Sequence, residues 1–269
     1  MWEIEPIKLS SDTVYYHITH WKAGSQWLLR IFRAAFPEAV VDPAPKVGHV
    51  RERKPEAGRI FPCCYLTSEE YRALKAGKAR RMVVIRDLRD TLVAAYFHLR
   101  CSNKAEDDSI AHVRSVLTGT NVEDGLIYLM EEWLPQSAEI QRTWLAEREP
   151  VIRLEDFMSA PAETLYYAFR RAWGLRLQTR EARRLIRNNS FEQLTGGRPP
   201  GQEDLTSHYR KGIKGDWRNH FTPRVVEHFK RLYNDTLLLS GYEKSADWRL
   251  DTEPKAAFEA IDKAPFFHL

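Results

Sequence analysis

The sequence has few cysteines and no long apolar run. Three cysteines occur among 269 residues, and two of them, Cys63 and Cys64, are adjacent. An odd number with one adjacent pair does not suit a disulfide framework, so a reducing, cytoplasmic compartment is expected. No stretch approaches the ~18 consecutive apolar residues of a membrane span, and the first residues lack the basic-then-apolar pattern of a signal peptide. Neither a membrane-spanning protein nor a disulfide-rich secreted protein is expected.

The usual metal motifs and the commonest nucleotide motifs are absent as well. No C-x-x-C or H-E-x-x-H spacing occurs and the nine histidines are scattered, so no metal is expected. Neither G-x-x-x-x-G-K-[ST] nor G-x-G-x-x-G is found. The formal net charge of +4 arises from 41 basic and 37 acidic residues that are interleaved along the chain. This balance permits an anionic ligand without predicting a nucleic-acid partner.

Short apolar segments alternate with amphipathic ones. Strands are predicted at residues 14–18, 59–66, 82–85 and 151–154. Helices are predicted after residue 25, from residue 67 towards the basic cluster at 75–81, after residue 90, and at 125–146, 161–173, 179–187 and 222–239. Residues 104–119 are expected to be a polar, mobile excursion. The alternation predicts an α/β fold with a mainly parallel sheet flanked by helices, in a single domain over residues 1–269 with an irregular tail from about residue 243.

Cationic side chains stand beside glycine or a helix start in three segments, at residues 22–27, 86–89 and 210–212. In the first, a strand, a short loop with Lys22 and Gly24 and then a helix would direct backbone N–H groups and a helix dipole at an anion. Parallel strands end at one edge of a sheet, so the first two loops are predicted to face one crevice. Three such segments predict a ligand with phosphate at both ends. An ordinary βα turn with a surface lysine is the alternative for the first segment alone.

The three segments resemble motifs of the cytosolic-type sulfotransferase family, whose sulfuryl donor is 3′-phosphoadenosine 5′-phosphosulfate (PAPS). Residues 19–27 (T-H-W-K-A-G-S-Q-W) resemble the 5′-phosphosulfate loop T-Y-P-K-[SA]-G-[ST]-x-W. Residues 84–98 resemble the 3′-phosphate segment R-[ND]-P-[KR]-D-x-x-V-S-x-Y-x-H, and residues 210–217 match R-K-G-x-x-G-D-W almost letter for letter. The order and wide spacing of the three agree with the family, which implies its P-loop-like nucleotide-binding architecture.

The resemblance implies a binding role for each segment. The loop that would hold the 5′-phosphosulfate comprises Lys22, Ala23, Gly24, Ser25 and Gln26. Adenine would lie against Trp27 and against Ser190 and Phe191, which are similar to the family's T-S-F. The 3′-phosphate would be held by Arg86, Arg210, Lys211 and the Gly212 amide, with Ala94 at the position of the family's serine.

Sulfuryl transfer resembles phosphoryl transfer, so catalysis rests mostly on positioning and electrostatics. Lys22 is suited to the leaving oxygen, and an acceptor hydroxyl also needs a base. Cys64 stands about where the family has its catalytic histidine, and a thiol serves as a base only with a lowered pKa. The base is therefore sought in His20, His49 or His98, each of which could instead be a structural or surface histidine.

Further departures are Ala94 for a serine and Leu154 for a tyrosine, which suggest an outlying, bacterial-like member or one without activity. The expected function is transfer of the sulfuryl group of PAPS to a hydroxyl or amine of a small-molecule, glycan or lipid acceptor, leaving adenosine 3′,5′-bisphosphate (PAP). The alternative is a non-catalytic module that binds PAPS, PAP or a partner on the same fold. An ATP-dependent kinase is disfavoured by the missing P-loop glycines. Residues 218–227 are similar to the family's dimer segment, so a homodimer is possible.

Overall fold

The structure is a computed structural model that describes residues 7–43, 49–102, 108–147 and 149–250, with the backbone alone of residues 49 and 50. Its strands are Val14–Thr19 (β1), Ile60–Cys64 (β2), Ala79–Ile85 (β3) and Val151–Arg153 (β4). Its α-helices are Ser25–Ala35 (α1), Ser68–Ala73 (α2), Leu88–Phe97 (α3), Asp108–Gly119 (α4), Val122–Glu132 (α5), Leu134–Ala146 (α6), Leu154–Ser159 (α7), Pro161–Ala168 (α8), Thr179–Asn188 (α9), Phe191–Leu194 (α10) and Pro223–Leu239 (α11).

The four strands form one sheet in the order β2-β1-β3-β4, and every neighbouring pair is parallel. This confirms the predicted α/β class with a parallel sheet. β1 lies in the middle and is buried along its whole length, as its nearly continuous apolar sequence predicts. Because β1 and β3 are adjacent and parallel, the loops that follow them leave the sheet at the same edge.

The described chain divides into two compact units. The first takes the residues up to Arg86 and Glu139–Pro199, and so contains the whole sheet. Its core packs α1 and the α8 region against the sheet through aromatic side chains. The rings of Phe32 and Trp173 lie 4.9 Å apart, and the buried Trp173 indole donates a hydrogen bond to the carbonyl oxygen of Tyr16 at 3.1 Å. The sequence prediction of a single domain stays a prediction.

The second unit, Asp87–Ala138 and the residues from Pro200 on, is built on helices. Helix α3 is buried at every position except Ala94. Gly125 permits close packing of α5 on α3, since a Cβ there would lie 2.7 Å from the Tyr96 ring. The buried guanidinium of Arg89 lies over Trp217 and Trp248, at 4.0 and 4.7 Å from the ring centroids.

Two predicted elements are wrong in part. Residues 108–119, expected to be a mobile excursion, form α4, which buries Val113 and Leu117 on one face; residues 104–107 lie outside the described part. The helix expected at residues 125–146 is interrupted after Glu132, because Pro135 at the start of α6 has no N–H to extend the bonding of α5.

Helix α2 ends at Ala73, directly before the basic cluster at residues 75–81, as predicted. Arg80 and Arg81 belong to β3, where they pair with β1. Residues 243–250 contain no helix or strand, as expected of the tail, and its remainder lies outside the described residues. Among the helices that the structure describes, none has the length and apolar character to cross a membrane.

Candidate active site

The turn between β1 and α1 adopts left-handed backbone at two positions. Lys22 has φ 61 and Gly24 has φ 78. The first helical hydrogen bond of α1 runs from the Leu28 N–H to the Gly24 carbonyl oxygen at 3.0 Å, so the three N–H groups before Leu28 have no helical partner. The first turn of α1 contains no acidic residue, and no side chain caps it. The loop therefore presents backbone donors and the positive end of a helix dipole, which together suit an anion.

Gly24 also lies very close to a neighbouring side chain. A Cβ built on Gly24 would lie 2.6 Å from Cδ1 of Leu154, the first residue of α7. The backbone thus passes directly over the Leu154 side chain. Any larger residue at position 24 would combine an unfavourable φ with a clash.

Arg86 follows β3 and reaches the loop after β1. Its Nη1 donates to the carbonyl oxygen of Lys22 at 3.0 Å. Its Nε is buried and has no hydrogen-bond partner among the described residues. The structure thus brings together the first two of the cationic segments found in the sequence. It places the Arg86 guanidinium beside the loop after β1, and the predicted role of Arg86 at a 3′-phosphate stays a prediction.

His20 lies at the centre of this contact and is fully buried. Its Nδ1 is 3.0 Å from the carbonyl oxygen of Trp21, and its Nε2 is 3.1 Å from the backbone nitrogen of Arg86. The side-chain nitrogen of Gln141 lies 2.8 Å from the same Nε2. Burial lowers the pKa of His20 to about 4, and the Arg86 charge acts in the same direction. No feature of the sequence had pointed to Gln141, which is 121 residues away.

The end of β2 holds a residue that the sequence reasoning missed. The Tyr65 hydroxyl lies 3.0 Å from the Ser25 hydroxyl at the start of α1. Cys64, the suggested counterpart of the family's histidine, is fully buried, and burial raises its pKa. Its neighbour Cys63 also has a raised pKa, about 12, because of burial. Neither thiol has the lowered pKa that a base or nucleophile needs.

Trp27 and the residues predicted to contact adenine come close together. The Trp27 indole donates to the carbonyl oxygen of Asn189 at 2.7 Å, and its ring is half-buried. Ser190 follows directly and caps α10, whose first residue is Phe191. The Arg198 guanidinium lies 4.9 Å from the centroid of the Phe191 ring. Gln26 is exposed and Ala23 is fully buried.

The third cationic segment lies in the second unit and is rich in ion pairs. Asp216 is buried and binds both Arg210 and Lys211, with 2.6 Å between Oδ1 and the Lys211 Nζ. Arg210 also pairs with Glu203. Burial alone would raise the pKa of Asp216, but His220, Arg210 and Lys211 outweigh burial and hold that pKa well below its usual range.

Asp90 of α3 fixes the turn that follows. Its carboxylate accepts hydrogen bonds from the backbone N–H groups of Gly215 at 2.6 Å and Trp217 at 3.0 Å. Gly212 and Gly215 have φ 67 and φ 76, which explains why the segment contains glycine at both positions. The R-K-G-x-x-G-D-W pattern therefore forms a turn whose backbone N–H groups bind Asp90 and whose two cations bind Asp216.

Ala94 and His98 are one helical turn apart, and both are partly exposed. His98 Nδ1 lies 3.1 Å from the Ser102 hydroxyl, and its ring is 5.6 Å from the ring of His208. The side chain of His49, the third candidate base, lies outside the described residues. No group of three or more metal-ligating side chains occurs among the residues that the structure describes.

The fold is α/β, and the loop after β1 presents backbone donors suited to an anion at the carboxyl edge of its sheet. The comparisons with known proteins agree on one family. The family model described as the sulfotransferase domain matches residues 17–248. Human sulfotransferase 2A1 is 21% identical over 243 residues, which cover 82% of each chain. Guinea pig 3-beta-hydroxysteroid sulfotransferase is 24% identical over 263 residues, covering 89% of this chain and 88% of the relative. The chain therefore belongs to the sulfotransferase domain family.

Solved structures support the same fold. Mouse sulfotransferase SULT7A1 complexed with PAP superposes with a TM-score of 0.60 at 17% identity, covering 87% of this chain and 89% of the other. Retinol dehydratase in complex with androsterone and PAP gives a TM-score of 0.51 at 16% identity, over 88% and 82%. The predicted enzyme class, a sulfotransferase, and the predicted fold are confirmed by these findings together.

Proposed function

We propose that the chain binds PAPS with its 5′-phosphosulfate at the loop after β1 and transfers the sulfuryl group to a hydroxyl or amine. The observation that carries this proposal is the meeting of Lys22, Arg86 and the unpartnered N–H groups at the start of α1. The Arg86 guanidinium binds the backbone carbonyl of Lys22 beside a helix N-terminus that has no acidic residue in its first turn. The buried Arg86 Nε, which has no partner among the described residues, is a further donor suited to an anion. PAP in the related structures agrees with PAPS as the donor.

The residues of the loop after β1 would have different roles in the transfer. PAPS, when bound, supplies a sulfuryl group on a phosphate leaving group, a transfer similar in kind to phosphoryl transfer. The Lys22 ammonium would neutralise the charge that develops on the leaving oxygen, and the Ser25, Gln26 and Trp27 amides would bind the phosphate oxygens. The Tyr65–Ser25 hydrogen bond orients the Ser25 hydroxyl at the edge of the same loop.

The 3′-phosphate is proposed to bind at Arg210, Lys211 and the Gly212 amide, beside Ala94. The family motif is complete here, and the two cations are held at one carboxylate. Adenine is proposed to lie at Trp27 and Phe191, whose segments meet through the Asn189 carbonyl. For the base we propose His98, a partly exposed imidazole that directly follows α3, one helical turn after Ala94. A cytoplasmic location and a homodimer are proposed on the family resemblance alone.

Isothermal titration calorimetry with PAP tests the nucleotide site. We expect saturable binding, with AMP binding more weakly because AMP lacks the 3′-phosphate. No detectable PAP binding, or equal binding of AMP and PAP, would contradict the proposal.

A non-catalytic PAP-binding module is the second candidate, because Cys64 and Ala94 replace two functional residues of the family. Transfer of label from PAPS to a fraction of a cell extract would reject this alternative. Tight PAP binding without transfer to any fraction would support it.

A further inference from the structure

The peptide groups on both sides of Lys22 are held by hydrogen bonds. The carbonyl oxygen of Trp21 lies 3.0 Å from His20 Nδ1, and the carbonyl oxygen of Lys22 accepts from Arg86 Nη1 at 3.0 Å. Lys22 itself has φ 61, a region that a residue with a Cβ enters only at an energetic cost. Such a conformation persists only where its surroundings fix it. The two hydrogen bonds thus determine in which direction the Lys22 side chain leaves the loop.

The partners of His20 fix its tautomer. A carbonyl oxygen can only accept, so Nδ1 carries the proton and donates to Trp21. Nε2 faces the backbone N–H of Arg86 and the amide of Gln141, both of which donate to it. The ring is therefore neutral, and its lone pair already accepts two hydrogen bonds. A general base needs a lone pair that can take the proton of the acceptor hydroxyl.

Gln141 completes the arrangement from α6. Its side-chain nitrogen donates to the carbonyl oxygen of Arg86 at 2.6 Å as well as to His20, and this carbonyl contact identifies the nitrogen end of the amide. Gln141 is fully buried. β3 ends at Ile85, and the next residue has both of its backbone groups bound by side chains, its N–H by His20 and its carbonyl by Gln141.

We propose that His20 and Gln141 are positioning residues that hold Lys22 and Arg86 in one fixed arrangement for the donor phosphosulfate. His20 acts through Lys22 and Arg86 and does not take up the acceptor's proton. This inference rests on the proposed function, because the loop must bind the donor for its geometry to matter. It assigns a role to Gln141 that no sequence motif indicated.

PAP binding separates positioning from base catalysis, because binding of the product needs no base. We expect His20→Ala and Gln141→Met to weaken PAP binding tenfold or more in calorimetry, since both disturb the loop. His17→Leu is the matched control. It removes the fully buried imidazole of His17 in β1, which accepts a hydrogen bond from the backbone N–H of Cys63 at 3.3 Å. The control should change PAP affinity less than threefold, even where its melting temperature falls.

Each outcome decides between the alternatives. Unchanged PAP affinity in His20→Ala with lost sulfuryl transfer would make His20 a base and overturn the proposal. Unchanged affinity in both variants would also overturn it, as would an equal loss in His17→Leu. Wild-type protein that does not bind PAP would contradict the proposed function itself, and the positioning role with it.

A second variant covers the case in which His20→Ala does not fold. In His20→Asn the side-chain amide can still donate to the Trp21 carbonyl but no longer reaches the Arg86 N–H. We expect PAP affinity three- to tenfold below wild type in this variant. Wild-type affinity in a folded His20→Asn, together with wild-type affinity in Gln141→Met, would overturn the proposal.

Discussion

The two segments proposed to bind the phosphates of the donor are built in different ways. The loop after β1 relies on its backbone: N–H groups at the start of α1, left-handed φ at Lys22 and Gly24, and carbonyl groups that fix the turn. The segment at residues 210–217 relies on side-chain charge, with two cations on Asp216 and one of them also on Glu203. An anion can therefore enter the first by using unpartnered donors, whereas in the second it must compete with carboxylates.

The largest effect is expected from Lys22→Ala. Removing one preorganised donor from a developing charge costs about 10²–10³ in rate, which corresponds to about 2.7–4 kcal/mol. Lys75→Ala is a matched control, because Lys75 is an exposed lysine that also has positive φ, 48. Turnover of labelled PAPS measures both. Equal losses in the two variants would mean that the effect comes from replacing any lysine with positive φ, and not from removing the ammonium group of Lys22.

The second largest effect is expected from Gly24→Ala in the loop after β1, which should lower the free energy of unfolding. A left-handed alanine costs about 1–2 kcal/mol, and overpacking against Leu154 adds about 1–3 kcal/mol. Urea unfolding should show this loss, and Leu154→Ala in the same chain should restore only the part due to the clash. Full restoration would show that φ at position 24 has no cost, and no loss at all would contradict the close approach of 2.6 Å.

As the pH falls, the stability contributed by His20 in the first segment should be lost at a higher pH than that contributed by Asp216 in the second. His20 has its pKa lowered from 6.5 to about 4, so the stability that the neutral ring contributes is complete above pH 6.5 and is lost as the pH falls towards 4. This contribution of His20 to the free energy of unfolding is on the order of 3 kcal/mol. Asp216 has its pKa lowered too, so its contribution is lost only below about pH 4.

Urea unfolding between pH 7 and pH 4 tests this order in wild type and in His20→Ala. The difference in unfolding free energy between the two proteins should shrink as the pH falls from 6.5 to 4. Arg86 is the one charged group for which an effect on the His20 pKa is resolved, and its positive charge lowers that pKa further. A difference that stays constant with pH would show that His20 has an ordinary pKa in the fold.

Arg210→Ala should weaken only the contacts that the segment at residues 210–217 makes with the nucleotide. A hydrogen bond to a charged group contributes about 1.5–3 kcal/mol, so PAP affinity should fall by about 10–100-fold. AMP, which has no 3′-phosphate, should bind the variant as it binds wild type. Calorimetry with both nucleotides measures the ratio, and a parallel loss for AMP would place Arg210 away from the 3′-phosphate.

Glu203→Gln should produce the smallest effect, and it should be a gain. Glu203 is the more exposed of the two carboxylates on Arg210, so its removal leaves the buried pair with Asp216 in place. An exposed ion pair is worth about 0–1 kcal/mol, which limits the rise in PAP affinity to a few-fold. Weaker PAP binding in this variant would mean that Glu203 orients Arg210 and does not compete for it.

Much of the fold followed from local patterns. β1 and α1 lie where the apolar run and the helical spacing placed them, and the capping box at Thr67 and Glu70 starts α2 as its sequence indicates. The errors came where a local pattern was weak or ambiguous. α4 begins in a polar stretch that a packing partner stabilises through Val113 and Leu117, and local sequence does not reveal such a partner.

By itself the sequence determined the family, through three motifs in order, and the parallel α/β class, through its alternating strands and helices. These features are local, because they depend on residues within one turn or one strand. Only the tertiary structure decided which groups surround His20, since its partners Arg86 and Gln141 are 66 and 121 residues away. Hydrogen bonds between distant elements leave no periodic or motif signal, and they are the reason to propose His20 as a neutral support for the loop and not as a base.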